Sequence, residues 1–164
     1  MSSKTEWTIK VNNESEMEKL GTRLAQSLPE RCVIALNGTL GSGKTRLVQF
    51  IAQASGIPIE EVSSPTFVLV HEYHGNRNIF HFDAYRLKDI DEFWELGPEE
   101  YFDRQGLTII EWADRIESAL PESYLKINIE VLSSTARDIV FSVISNDCCN
   151  HDSLLKGIFF DWPQ

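Results

Sequence analysis

The sequence predicts an α/β fold, a three-layer sandwich whose central sheet is mainly parallel with antiparallel additions. Three observations carry this expectation. Strand-like and helix-like hydrophobic patterns alternate through the first half of the chain. A glycine-rich loop joins an apolar run to an amphipathic stretch within that alternation, and two segments near the C-terminus alternate apolar and polar residues with period two. The 164 residues suffice for one domain with one buried core and are too few for two of usual size, so a single domain over 1–164 is expected, with the tail 146–164 unassigned.

In chain order, TEWTIKV (5–11) alternates like a strand, and Ser15 opens a helix with Met17, Leu20, Leu24 and Leu28 at helical spacing. RCVIALNG (31–38) is an apolar strand running into the glycine loop, and KTRLVQFIAQASG continues as a helix that ends near Gly56. TFVLVHEY (66–73) and NIFHFDAY (78–85) read as strands separated by a turn at His74-Gly75-Asn76-Arg77, and DIDEFWELG (89–97) reads as a short helix. LTIIEW is a buried strand, ADRIESAL a polar helix, and YLKINIEVL with RDIVFSVIS a terminal antiparallel pair. The chain shows no repeat, linker or low-complexity block.

The loop reads LNGTLGSGKT (36–45), which spells G-x-x-x-x-G-K-[ST]. A phosphate needs several donors converging on its oxygens, and backbone N–H groups at a helix start supply them together with the positive end of the helix dipole. Gly38, Gly41 and Gly43 let the backbone curl close, Lys44 can bridge the β and γ phosphates, and the Thr45 hydroxyl can ligate Mg²⁺. The nucleotide-contact set is therefore Gly38, Leu40, Gly41, Ser42, Gly43, Lys44, Thr45 and Arg46, in a P-loop NTPase-like setting. A Mg²⁺-nucleotide site also needs a carboxylate at the end of a neighbouring strand, where open α/β sheets bind ligands. Asp83 and Glu111 both meet that requirement, and either could hold the metal or orient water. Thr66 lies on the connector SSPTF, a place where a γ-phosphate-sensing segment is found in many hydrolases.

Other features exclude function classes. The net charge of −10 argues against a surface that grips nucleic acid by itself. No apolar run is long enough to span a membrane and the start lacks the apolar core of a signal peptide, so a cytoplasmic location is expected. Cys32, Cys148 and Cys149 form no C-x-x-C pair, and His71 and His74 fall on opposite faces of a strand, which disfavours a metal site there. A GTPase would carry N-K-x-D and a transporter ATPase a sequence like L-S-G-G-Q, and neither occurs. D-R-Q-G (103–106) precedes a strand instead of following one. The arginines Arg77, Arg86, Arg104 and Arg115 are too scattered to form the lid of a small-molecule kinase, which weakens that option.

Taken together, LNGTLGSGKT, SSPTFVLVHEY, HFDAYRL and IIEWADR resemble the TsaE family, in order and with matching spacing, over roughly residues 15–140. The resemblance implies an ATPase that binds Mg²⁺ and ATP, joins the proteins TsaD and TsaB, and supports threonylcarbamoylation of the adenosine beside the anticodon of ANN-decoding tRNAs, meeting tRNA only through the complex. By motif it implies catalytic roles for Lys44, Asp83 and Glu111, metal binding by Thr45, Glu111 and Asp83, a switch role for Thr66, and a nucleotide or partner contact at Trp112. Tyr85 and Arg86 fall in the same block. Thr39 stands where the family usually has an acid and Ser42 where it usually has alanine, neither a defining position. A nucleotide-gated scaffold with incidental hydrolysis requires the same Lys44 and Thr45. In the tail, IFFDW is expected to pack on the core.

Overall fold

A computed structural model of the chain describes residues 5–65, 69–145 and 151–163. Among them, seven strands form one sheet: β1 (Thr5–Val11), β2 (Arg31–Gly38), β3 (Val70–Tyr73), β4 (Ile79–Asp83), β5 (Gly106–Glu111), β6 (Tyr124–Val131) and β7 (Arg137–Ile144), in the spatial order β1-β7-β6-β2-β5-β4-β3. The four central strands β6, β2, β5 and β4 are mutually parallel, and β3, β7 and β1 add antiparallel edges. The expected sheet is thus found, with one refinement: the C-terminal pair inserts beside β2, and the N-terminal strand closes the edge on β7.

Strand periodicity divides the core between the two faces. Ile34 and Leu36 of β2 point to one side, where helices α1 (Glu14–Ser27) and α2 (Lys44–Ala54) pack through Leu20, Leu24, Leu47 and Ile51. Val33 and Ala35 point to the other, against Phe80, Phe82 and Phe93, the last from the short helix α3 (Ile90–Glu95). Three layers follow directly from strands buried on both sides. The tail helix α5 (His151–Phe159) joins the first face: Leu155, Ile158 and Phe159 are buried, and the Trp162 indole N–H donates to the Lys10 carbonyl at 3.1 Å. The expected core packing of IFFDW holds for Ile158, Phe159 and Trp162, whereas Phe160 is 91% exposed. No helix among the described residues is long and apolar enough to cross a membrane.

Four local details differ from the sequence expectation. Helix α1 is capped by Asn13, not opened by Ser15: the Asn13 side chain accepts from the Glu16 N–H at 2.9 Å, and Glu16 reaches back to the Asn12 N–H at 2.7 Å. A second short helix, α4 (Pro98–Asp103), follows α3, started by Gly97 in the left-handed region and Pro98 in the first turn. ADRIESA (113–119) forms 3₁₀ turns with a break at Ile116, so the polar helix expected there is not an α-helix. The third strand spans only Val70–Tyr73; its first expected residues, 66–68, lie outside the described ones, as does the Cys148-Cys149 pair.

Candidate active site

Because β2, β5 and β4 are parallel neighbours, their last residues meet at one edge of the sheet. Gly38 ends β2, Glu111 ends β5, Asp83 ends β4, and Asp83 pairs with Glu111 in the register. Helix α2 begins at the same edge, so the first orphan N–H groups of its N-terminus open there. The chain reaches that start through residues 38–43. At Gly43, which precedes α2, φ is +107°, a conformation in which a side chain would be strained. Gly38 is needed for space: a Cβ there would come within 2.5 Å of Ser42 Oγ and 2.9 Å of the Ile129 carbonyl oxygen.

The resulting cleft, about 430 Å³, is lined by the loop, Lys44, Thr45, Ser64, Asp83 and Glu111, with Tyr85, Arg86 and Trp112 at its wall. Lys44 is 5% exposed, and its ammonium donates to the carbonyls of Gly38 at 2.7 Å and Thr39 at 3.0 Å. The Trp112 ring covers it, 3.9 Å from nitrogen to ring centre. Burial holds the Lys44 pKa below its usual value, opposed by the nearby charges of Glu111, Asp83 and Asp114. The Thr45 hydroxyl donates to Glu111, 2.8 Å from Oε1 and 3.1 Å from Oε2. The same Oε1 also meets His81 Nε2 at 2.8 Å.

Asp83 is held by separate partners. Its Oδ2 accepts from the Ser64 hydroxyl at 2.5 Å and its Oδ1 from the Tyr85 N–H at 2.8 Å. Ser64 follows Ser63, whose carbonyl accepts from the Tyr73 hydroxyl at 3.1 Å, so β3 steadies the connector that leads to residue 66. Thr66 itself lies outside the described residues. Trp112 has φ +57° and ψ +37°, the one non-glycine residue with positive φ among those described, which costs on the order of 1–3 kcal/mol and turns its ring onto Tyr85, 4.8 Å between centroids.

Of the expected residues, Gly41, Gly43, Lys44, Thr45, Asp83, Glu111 and Trp112 line one cleft, while Gly38 and the fully buried Ser42 pack behind the loop. Leu40 lines the cleft from the loop tip and is 80% exposed. Arg46 lines the cleft, yet its guanidinium is turned to α1: Nε lies 2.5 Å from Glu14 Oε1, Nη1 2.9 Å from Gln49 Oε1, and the group covers the Phe50 ring. Away from the cleft, His71 Nδ1 meets the Tyr73 hydroxyl at 3.0 Å and His74 Nδ1 meets Asn78 Oδ1 at 3.4 Å.

Sequence reasoning passed over two side chains that the fold places at this edge. His81 is fully buried behind Glu111; the signal was its spacing of two from Asp83 on a strand, which puts both on one face. Arg137 reaches from β7 to the back of the loop, where its Nε donates to the Ser42 carbonyl at 2.8 Å. No local pattern marks that contact, because 95 residues separate the partners.

The sequence model of a family described as "Threonylcarbamoyl adenosine biosynthesis protein TsaE" matches residues 11–139. Among similar proteins, that of Treponema pallidum is 40% identical over 119 residues, covering 73% of this chain and 87% of its own. That of Bacillus subtilis is 40% identical over 115 residues, covering 70% and 71%. Both are named tRNA threonylcarbamoyladenosine biosynthesis protein TsaE. The crystal structure of Bacillus subtilis YdiB superposes with a TM-score of 0.73 at 28% identity, over 96% of this chain and 95% of that one.

Proposed function

The chain belongs to the TsaE family of threonylcarbamoyladenosine biosynthesis proteins, and from that premise we propose that it is a Mg²⁺-dependent ATPase subunit, slow alone and completed by the TsaD–TsaB pair that modifies tRNA. The observation that carries the reading is the meeting of Lys44, Thr45, Glu111 and Asp83 in one cleft at the start of α2.

The residues present fit the absent groups. Gly38 lets the loop pack tightly against Ser42 and the Ile129 carbonyl, and helix N–H groups with a buried ammonium suit an anion of several charges. A hydroxyl and a carboxylate, both oxygen donors, suit Mg²⁺ better than a soft metal. We assign Thr45 and Glu111 to the metal and its water shell, the loop N–H groups and Lys44 to the phosphate oxygens, and Asp83 to the attacking water. Mg²⁺, when bound, supplies charge neutralisation at the phosphates. Lys44 exchanges its contacts with the Gly38 and Thr39 carbonyls for phosphate oxygens, and Trp112 and Tyr85 limit access of bulk water to the ammonium. Asp83, pinned by Ser64 and the Tyr85 N–H, would orient the water and accept its proton as the water oxygen bonds to the γ phosphorus and the bond to the β–γ bridging oxygen breaks, leaving ADP and inorganic phosphate.

Of the arginines near the cleft, Arg46 binds Glu14 and Arg115 donates to the carbonyls of Tyr85 at 2.6 Å and Leu87 at 3.2 Å, while Arg86 lines the cleft wall. An additional cation for the transition state is expected from a partner or from Arg86, and a chain of net charge −10 suits docking on a basic surface. The test is phosphate release from ATP by the purified chain, alone and with the TsaB–TsaD pair. A slow rate that rises sharply with the pair is expected. ATP binding and complex formation without any rise would favour a nucleotide-gated scaffold.

A further inference from the structure

The roles assigned above leave His81 without a task, although it lies against the acid assigned to the metal. Period two on β4 and β5 turns Ile79, His81 and Asp83, and Leu107, Ile109 and Glu111, toward α2. In the register His81 is opposite Ile109 and Asp83 opposite Glu111, so His81 approaches Glu111 diagonally from deeper in the sheet. His81 is 0% exposed, so water cannot satisfy it from outside, whereas Glu111, 2% exposed, reaches the lining of the cleft.

The hydrogen bonds settle how the imidazole is arranged. Its Nε2 lies 2.8 Å from Glu111 Oε1, while Nδ1 is buried with no hydrogen-bond partner among the described residues. A proton on Nδ1 would be a buried donor with no acceptor, and a bare Nε2 would set a lone pair against the carboxylate. The arrangement that satisfies both atoms carries hydrogen on Nε2 and leaves Nδ1 bare; the Tyr73 ring lies near the imidazole, 6.2 Å between centroids. Thr45 grips the same carboxylate from the cleft side. A cation bound by the Thr45 hydroxyl uses that oxygen's lone pairs and leaves its O–H on Glu111, so Thr45 and His81 hold the carboxylate together, His81 from deeper in the sheet.

We propose that His81 is a positioning residue: its Nε2–H holds Glu111 Oε1 from deeper in the sheet, so that the carboxylate keeps the orientation in which it meets Thr45 and faces the Mg²⁺ of a bound nucleotide. This rests on the assignment of Thr45 and Glu111 to the metal. It follows the general behaviour of metal sites, in which the groups that orient a ligand, when removed, cost roughly 10–100-fold in metal affinity or activity.

Three substitutions and one spectrum test it. His81→Leu fills similar space without a donor, His81→Gln places an amide N–H near the position of Nε2, and Glu111→Gln removes the group through which His81 acts. ATP binding is titrated at stepped Mg²⁺ concentrations and in chelator, with melting curves to confirm folding. For His81→Leu the Mg²⁺ needed for half-maximal ATP binding is expected to rise about tenfold or more, with binding in chelator unchanged and kcat lowered more than KM is raised. His81→Gln should recover most of the loss, and His81→Leu should add nothing in the Glu111→Gln background. Wild-type Mg²⁺ dependence in His81→Leu, or an equal added loss in that background, would overturn the proposal. If wild-type protein binds ATP with no response to Mg²⁺, the metal assignment itself fails and this one with it. Long-range ¹H–¹⁵N spectra of the wild-type imidazoles need no variant to fold: protonated Nε2 with bare Nδ1 is expected at His81, and protonated Nδ1 would overturn the arrangement.

Discussion

The two edges of the sheet each carry a polar cleft, and helix direction decides what each can do. At the carboxyl edge the N-terminus of α2 opens onto about 430 Å³ with unused N–H donors, and an anion is the natural complement. At the opposite edge, a larger cleft of about 540 Å³ lies beside the C-terminus of α1, where orphan carbonyls face outward. Helix α1 has no basic residue in its last turn. Arg77, from the turn between β3 and β4, supplies the missing cation, its Nη1 donating to the carbonyls of Ala25 at 2.9 Å and Leu28 at 2.8 Å. Both clefts hold a partly desolvated cation whose pKa burial lowers. Lys44 has Glu111, Asp83 and Asp114 around it and a loop that can supply N–H groups; Arg77 ends a helix. Cleft size alone would have chosen the wrong edge.

The comparison predicts that substitutions at the two edges fail in different assays. The largest effect is expected for Lys44→Ala, which removes a buried ammonium from the anion cleft: ATP affinity should fall by on the order of 100-fold or more, read by calorimetric titration, with the melting temperature little lowered or raised. A similar loss of ATP affinity in Arg77→Ala would break the distinction between the edges.

Gly38→Ala tests whether the cradle depends on the absence of one methyl group. The new Cβ meets Ser42 Oγ at 2.5 Å, which can rotate away, and the Ile129 carbonyl at 2.9 Å, which belongs to β6 and cannot. About 2 kcal/mol of stability should be lost in denaturant titration, together with most ATP binding, because the loop must shift off the strand. Arg77→Ala should cost a comparable or slightly smaller 1–2 kcal/mol by leaving two helix-end carbonyls without their donor, with ATP titration unchanged.

How much of this was legible in the sequence varies with the range of the interaction. The α/β class, the strand-loop-helix around Gly38–Thr45 and the two strand-end acids follow from periodicity and from one local motif, so they are found as expected. The sequence could not say that Asp83 and Glu111 would be register partners, since that depends on β4 and β5 being adjacent and parallel. The Asn13 cap was missed because Ser15 is also a capping residue, and which side chain reaches a free N–H is decided by a single turn of backbone. Arg46 lines the cleft as its place after Thr45 suggests, and its contact with Glu14 of α1, 32 residues away, is not marked by any local pattern. Arg137 and Arg77 act on carbonyls 95 and about 50 residues away, and no pattern within a window could have announced them.

The smallest effect sharpens the amino-edge half of the comparison through Cys32, the second residue of β2, whose electrostatic neighbour is Arg77. Burial pushes the thiol from 9.0 up to about 11, and Arg77 opposes that rise without cancelling it. Above pH 9 the unfolded chain releases the Cys32 proton while the folded chain keeps it, so the native state binds more protons and stability must fall as pH rises toward 11. Below pH 9 the contribution is fully present. At pH 10 the difference between wild type and Cys32→Ser in this respect should be about 1 kcal/mol, measured as the change in denaturation midpoint from pH 8 to pH 10 in each protein. Arg77→Ala should steepen the fall by removing the charge that favours the thiolate. An equal pH response in wild type and Cys32→Ser would show that the thiol titrates as it does in the unfolded chain, and that the amino edge is wetter than its packing indicates.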